Sequence, residues 1–131
     1  MSKTRSLQLF TSVLPCTTEN VVELLEKAGW SVFDSNGRIH IWNTETDEWE
    51  RFNGLFERFL SLERCCFRAF GNGVSINVFV SGGNCFDITL EPKYTAVDGE
   101  LVFDFNWYYN RLVERMNSNR CVIERVVFDE Y

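Results

Sequence analysis

The fold class is decided by residues 66–90, which have the sequence CFRAFGNGVSINVFVSGGNCFDITL. Three runs of β-forming residues, Cys66–Phe70, Val74–Val80 and Cys85–Leu90, are separated by two short glycine-containing segments. In the middle run, valine and isoleucine alternate with serine and asparagine, which is the pattern of a strand with one buried face. The stretch therefore predicts an antiparallel meander.

Further strand signals lie on both sides of this meander. The predicted strands are Ser6–Leu14, Trp30–Phe33, Arg38–Trp42, Tyr94–Val97, Leu101–Phe105 and Cys121–Phe128. The dipeptides Asn36-Gly37 and Asp98-Gly99 each indicate a tight hairpin, because both residue types tolerate a positive φ. We expect the second of these hairpins to continue the meander.

Helical periodicity appears in three segments. The predicted helices run over residues 17–28, 47–63 and 106–116, with Thr17 or Thr18 capping the first and Asn106 the third. The middle segment has the strongest apolar stripe, with residues spaced by three and four: Trp49, Phe52, Phe56, Phe59 and Leu60. Residues 1–131 are therefore predicted to form a single α+β domain, mainly an antiparallel β-sheet of about six or seven strands with about three helices.

The charge balance limits the classes of partner. The chain has 19 acidic and 13 basic residues, a net charge of -6, and its basic residues are scattered singly. Such a chain repels polyanions, so we expect no direct binding of nucleic acid. No apolar run approaches the roughly 20 residues that span a bilayer, which predicts no membrane segment.

The cysteines and the start of the chain indicate a compartment. Five cysteines form an odd set, and the first residues lack the apolar region of a signal peptide. We therefore expect free thiols and a cytoplasmic protein.

Two residues are candidates for nucleophilic chemistry. Cys16 lies at the mouth of the first predicted helix, where the helix dipole favours a thiolate, but Glu19 and Glu23 oppose it and a buried, inert thiol is the alternative. His40 is the only histidine, and strand alternation places it opposite Ile39 on a face expected to be exposed. Nothing in the sequence predicts that its ring lies near a thiol, as a Cys-His pair would require.

The sequence contains no recognisable catalytic or metal-binding motif. Cys65 and Cys66 are adjacent rather than spaced as zinc ligands are, and neither glycine-containing turn has the lysine and the strand-to-helix setting of a phosphate loop. We therefore predict no catalytic residue, no metal, no cofactor and no enzymatic activity.

The one concentrated charge feature is residues 45–50, in which four acids surround Trp49. In one interpretation, Thr44 or Thr46 caps the helix over 47–63 and the acids complement its dipole. In the other, the acids and Trp42 form an exposed face that docks a basic protein. Turn chemistry or the same kind of docking can explain a second acidic group over 98–104. The candidate partner-binding residues are Trp42, Glu45, Asp47, Glu48, Glu50, Asp98, Glu100 and Asp104.

In overall character the chain resembles the small acidic immunity proteins of contact-dependent growth inhibition and polymorphic toxin systems. The resemblance rests on one small domain, an acid excess, a cytosolic thiol pattern, aromatics expected to be exposed at Trp42 and Trp107, and no active site. It implies an antitoxin-like inhibitor that binds a bacterial toxin stoichiometrically, often a nuclease, and blocks its basic surface or active site.

Two other functions are left open by the sequence. In one, the meander and the helix over 47–63 enclose a pocket for a small molecule or a substrate. In the other, the chain is a structural homodimer that pairs through the edge of its last strand, Cys121–Phe128. We therefore expect either a monomer or a homodimer.

Overall fold

The computed structural model describes residues 4–12, 15–118 and 121–131, and it confirms an α+β fold built on an antiparallel sheet. The strands are β1 Arg5–Thr11, β2 His40–Asn43, β3 Glu48–Arg51, β4 Cys65–Gly71, β5 Val74–Val80, β6 Cys85–Leu90, β7 Tyr94–Val97, β8 Glu100–Phe103 and β9 Ile123–Glu130. The helices are α1 Thr18–Lys27, α2 Phe56–Leu60, α3 Phe105–Arg111 and α4 Val113–Met116.

Seven strands form one sheet in the order β3-β2-β4-β5-β6-β1-β9. The predicted meander is confirmed, since β4, β5 and β6 are consecutive antiparallel neighbours. β1 is inserted between β6 and the last strand, β9, which leaves β3 and β9 at the two margins of the sheet.

The core lies on one face of this sheet. Alternate residues of the central strands, among them Leu9, Val78 and Ile88, are buried in one cluster with α1, α3, α4 and Trp30. The other face, here called the open face, carries half-exposed side chains that include Gln8, Phe10, Cys66, Arg68, Asn77 and Asp87. Burial of apolar side chains on one side only is what the alternation along β5 predicts.

The first helix is confirmed. The Thr17 side chain caps α1 and accepts a hydrogen bond from the Asn20 backbone N–H over 3.2 Å. The buried Thr18 hydroxyl donates to the Leu62 carbonyl oxygen over 2.6 Å and so ties α1 to the chain beyond α2.

The third helix is confirmed in position but not in its cap. Asp104 caps it, not Asn106, because the Asp104 carboxylate accepts from the Trp107 backbone N–H. The helix is interrupted at Leu112, which separates α3 from α4. Tyr108, Leu112 and Met116 are buried, as their spacing predicts.

The predicted helix over residues 47–63 is wrong. Residues 48–51 form β3, the acids before them lie in a turn, and only Phe56–Leu60 is helical. Pairing with β2 overrides the apparent helical period, since Trp49 lies directly opposite Trp42 across the hairpin. Gly54 lies between the strand and the short helix, where the two local structures separate.

The hairpin around Asp98-Gly99 is confirmed, but it does not continue the meander. β7 and β8 form a separate two-stranded sheet. This small sheet packs beside the large one, with the Phe103 ring stacked on Phe128 of β9 at a centroid distance of 5.9 Å.

The hairpin around Asn36-Gly37 is only partly formed. The turn is present, since the Gly37 N–H donates to the Asp34 carbonyl oxygen over 3.0 Å. Trp30–Phe33, however, is not a strand and contributes only isolated bridges, Ser31 to Phe70 and Phe33 to Ile39. The buried Trp30 instead donates its indole N–H to the Arg111 carbonyl oxygen.

The two terminal strands differ from the predictions at their ends. β1 ends at Thr11, and the predicted end of that strand, Val13 and Leu14, lies outside the described residues. β9 begins and ends two residues later than predicted and lies at a margin of the sheet, as the edge hypothesis requires.

Candidate functional site

The strongest candidate site is the hairpin of β2 and β3, which forms one margin of the sheet. Trp42 and Trp49 lie opposite each other on the open face, with ring centroids 5.4 Å apart in an edge-to-face arrangement. The Arg68 guanidinium of the neighbouring strand β4 lies 4.2 Å from the centre of the Trp49 ring. These contacts fix both indole rings while leaving them partly accessible.

Asn43 organises the turn that presents the acids. Its side-chain oxygen accepts from the backbone N–H groups of Glu45 and Thr46, over 2.9 and 3.3 Å. Its amide nitrogen donates to the Glu50 carboxylate over 3.1 Å. Asp47 closes the turn with a positive φ of 55°, a conformation that aspartate tolerates better than most residues.

The carboxylates of this hairpin are exposed and are not neutralised by neighbouring cations. Glu45, Asp47, Glu48 and Glu50 are all exposed. In the described part of the chain, no Lys, Arg or His nitrogen lies within 4.0 Å of any of these four carboxylates. Their charge is therefore available to an approaching cation.

The two faces of the β2–β3 hairpin carry side chains of opposite charge. Strand alternation places Arg51 with Trp49 on the open face, beside Arg68, and turns Glu48 and Glu50 toward the opposite side. Glu45 and Asp47 lie in the turn. The acidic patch is thus the turn and the far side of β3, and the tryptophan side carries arginines.

A cleft of about 450 Å³ opens beside the hairpin. Its lining residues are Trp42, Thr44, Arg64, Cys65, Cys66 and Phe79. Phe79 is an exposed aromatic residue on the open face, where the alternation of β5 otherwise places polar residues. The cleft is therefore bordered by two aromatic rings, those of Trp42 and Phe79, and by the side chain of Arg64.

The other predicted acids do not join this patch. Asp98 and Glu100 are exposed at the turn of the β7–β8 hairpin, which packs against β9 at the opposite margin of the sheet. Five strands separate β3 from β9, so the two acidic groups face different surroundings. Asp104 is half-buried as the cap of α3 and is not a free acid.

The surroundings of His40 and Cys16 do not favour nucleophilic chemistry. His40 is half-buried, and its Nε2 lies 2.7 Å from the Asp34 carboxylate rather than near a thiol. This contact, with backbone donors from Arg38 and Asn36, lowers the pKa of Asp34 to about 2. Cys16 is buried, and burial raises the pKa of its thiol, which disfavours a reactive thiolate.

The predicted aromatic exposure holds only in part. Trp107 is half-buried and has two cations close to its ring, with Lys93 4.7 Å and Arg111 4.3 Å from the ring centre. Trp42 is also half-buried, but it borders the open cleft. Of the two, only Trp42 lines the cleft beside the hairpin.

Sequence reasoning missed several residues of the site. Asn43, Arg64 and Arg68 became relevant only when strand pairing brought them to the hairpin. The sequence did contain a signal for Phe79, because this residue is apolar although it lies on the otherwise polar side of its strand.

The described residues offer neither a metal site nor a membrane-spanning helix. Across residues 4–12, 15–118 and 121–131, no group of three or more His, Cys, Asp or Glu side chains is arranged to hold a metal ion. No helix within these ranges has the length and apolar character needed to cross a membrane. The alternative pocket was predicted against a helix over residues 47–63, whereas residues 48–51 form a strand and only residues 56–60 are helical.

Comparison with protein-family models, with curated proteins and with solved structures finds no significant match to this chain.

Proposed function

We propose that this protein is a non-enzymatic binding protein that uses its acidic β2–β3 hairpin to hold a basic protein partner. The observation that carries the proposal is the set of exposed carboxylates at Glu45, Asp47, Glu48 and Glu50, with no cation of the described chain within 4.0 Å. Charges left uncompensated on a projecting turn steer an oppositely charged partner and raise its rate of association.

The neighbouring tryptophan and cleft supply the second part of the interface. Steering by exposed charges gives speed and orientation but little affinity. Affinity at protein interfaces comes mainly from aromatic or apolar anchors buried near the centre. The cleft between Trp42 and Phe79 can take such a side chain from the partner, while Lys or Arg residues beyond Thr44 at its rim meet the acids of the turn, Glu45 and Asp47.

A toxin is the partner that the resemblance to immunity proteins favours. A toxin that acts on nucleic acid has a basic substrate-binding surface, and an acidic hairpin competes for that surface by presenting carboxylates where phosphates would bind. In this proposal the protein acts stoichiometrically and has no turnover.

The test uses the protein encoded by the reading frame immediately upstream of this gene. Co-expression measures protection of bacterial growth, and calorimetry on the purified proteins measures affinity and stoichiometry. We expect protection and a 1:1 complex. The double variant Glu45→Lys/Glu48→Lys should weaken binding by about tenfold or more at low salt.

The matched control is Glu26→Lys/Glu114→Lys, which changes net charge equally at exposed positions of α1 and α4. This control should bind nearly as well as the natural protein. An upstream product that neither binds nor harms growth, or equal weakening by both double variants, would contradict the proposal. Stabilisation by a defined metabolite in a thermal-shift screen would favour a ligand-binding protein instead.

A further inference from the structure

The outer edge of β3 forms the margin of the sheet that carries the acidic hairpin. In the described part of the chain, β2 is the only strand that pairs with β3. The residues of β3 are exposed, except Trp49, which is half-buried. The edge therefore offers both backbone groups and charged side chains to an approaching chain.

We propose that this edge binds an extended segment of the basic partner as an added antiparallel strand. This mode of binding rests on the proposed function, in which the β2–β3 hairpin holds a basic protein, and it specifies how that protein is recognised. The antiparallel direction is the one that all registered strand pairs of the large sheet adopt.

Backbone hydrogen bonds show which groups of β3 point outward. The Phe52 N–H donates to the Ile39 carbonyl oxygen over 2.8 Å, so these two residues form a hydrogen-bonded pair. Bonded and non-bonded pairs alternate along an antiparallel ladder, which assigns the two glutamates of β3 to bonded pairs with β2. The N–H and C=O groups of Trp49 and Arg51 therefore point away from β2.

These outward groups are free among the described residues. No backbone hydrogen bond outside the β2–β3 ladder involves Trp49 or Arg51. The side-chain hydrogen bonds of the hairpin join Asn43 to Glu45, Thr46 and Glu50 instead. An added strand that pairs with Trp49 and Arg51 can therefore form about four backbone hydrogen bonds, two at each bonded residue pair.

Side-chain alternation sets the residue types of the added strand. Glu48 and Glu50 share one side and take non-bonded positions in the new ladder, where opposite side chains approach most closely. Lysine or arginine opposite each of them forms a cross-strand ion pair. On the other side, no carboxylate of the described chain lies within 4.0 Å of the Arg51 guanidinium, so an acid opposite it supplies one. A β-branched residue opposite Trp49 packs on its ring.

The same charges disfavour a second copy of this chain as the occupant. Antiparallel pairing of β3 with itself about Trp49 sets Glu48 opposite Glu50. Pairing about Glu50 sets that carboxylate opposite its own copy, and pairing about Arg51 sets two arginines opposite each other. A different chain avoids these repulsions when its sequence reads acid, base, apolar residue, base from its N-terminal end.

Amide hydrogen exchange, measured by NMR on the complex with the upstream-encoded protein, tests the added strand directly. Binding should slow the exchange of the Trp49 and Arg51 amides by about tenfold or more, because both become hydrogen-bonded. A complex that Glu48→Lys weakens, but in which both amides still exchange rapidly, would overturn the strand addition and leave the proposed function standing. Absence of any complex would overturn both.

A matched pair of variants separates the backbone of Arg51 from its side chain. Proline is tolerated at an edge position whose N–H faces outward, and it removes that donor. Arg51→Ala removes the guanidinium but keeps the N–H. Arg51→Pro should therefore weaken the complex by about tenfold more than Arg51→Ala does, with circular dichroism showing that both variants are folded. Equal weakening by the two would contradict pairing through this edge.

Synthetic peptides test the charge pattern. A peptide whose centre reads Glu-Lys-Val-Lys matches β3 in the antiparallel direction, from Arg51 back to Glu48. The reversed centre, Lys-Val-Lys-Glu, has the same composition but sets lysine opposite Arg51 and glutamate opposite Glu48. In NMR titrations, the first peptide should shift the Trp49 and Arg51 amide signals at about tenfold lower concentration than the second. Equal effects of the two peptides, or shifts only elsewhere in the protein, would overturn the pattern.

Discussion

The pairing of Trp42 with Trp49 allows a quantitative test of the β2–β3 hairpin, because the helix predicted from the sequence would separate these rings. Replacing Trp49 by Ala removes an edge-to-face contact with Trp42, at a centroid distance of 5.4 Å, and the Arg68 guanidinium 4.2 Å from its ring. An aromatic pair contributes about 0.5–1.5 kcal/mol and an exposed cation–π contact about 0.5–1 kcal/mol. We therefore expect Trp49→Ala to lower the free energy of unfolding by about 1–2.5 kcal/mol.

A double-mutant cycle isolates the pair. Urea unfolding of Trp42→Ala, Trp49→Ala and the double variant should give a coupling energy of about 0.5–1.5 kcal/mol. The control cycle joins Trp49 to Phe52, which would be its neighbour one turn along a helix but whose ring contacts Phe59 in the structure. Its coupling should be below about 0.5 kcal/mol. A larger coupling for Trp49 with Phe52 than with Trp42 would support the helix and refute the hairpin.

Three further predictions concern stability and reactivity. Tyr108→Phe should lower the free energy of unfolding by about 1–2 kcal/mol in urea titrations, because the part-buried Glu91 carbonyl oxygen loses the hydroxyl of Tyr108 as its donor. A loss below about 0.5 kcal/mol would contradict a stabilising role of this hydrogen bond. The pKa of Asp34 is depressed to about 2 by His40 and backbone donors, so its stabilisation is present above its unfolded pKa of about 4 and is lost as pH falls toward 2. In thermal unfolding measured as a function of pH, Asp34→Ala should therefore lose less stability than the natural protein as the pH falls from about 4 to about 2. An equal loss in the two proteins would rule out this contribution of Asp34. Burial raises the pKa of the Cys65 thiol to about 12, so this thiol should react slowly with an alkylating reagent at pH 8. Mass spectrometry after brief alkylation of the folded protein should find Cys65 unmodified. Rapid labelling would contradict its burial.

Local patterns were sufficient for much of the fold. The alternation along Val74–Val80 correctly gave a strand with one buried face, and Thr17 correctly marked the start of α1. Both signals act over a few residues and need no knowledge of distant neighbours.

The predictions of secondary structure and strand order failed where contacts between residues distant in the sequence determine the structure. The turn over residues 44–47 has no Asn-Gly or Asp-Gly dipeptide, so the hairpin it closes had no local signal. The spacing of Trp49, Phe52 and Phe56 fits a helix as well as it fits a strand followed by a short helix. The insertion of β1 between β6 and β9 likewise depends on pairing between residues far apart in the chain.

The sequence was sufficient to predict which acids of the candidate site are exposed, but not which of them lie close together. Acid-rich turns are exposed in most proteins, so the exposure of Glu45 and Glu48 followed from composition. Their separation from Asp98 and Glu100 depends on strand order, which places the two hairpins at opposite margins of the sheet.

The association rate with the upstream-encoded protein, measured by stopped flow at several ionic strengths, tests the central claim most directly. If the carboxylates of the β2–β3 hairpin steer a basic partner, the rate constant falls as salt rises, and Glu48→Lys slows association more than it speeds dissociation. A rate constant that is indifferent both to salt and to Glu48→Lys would contradict the claim.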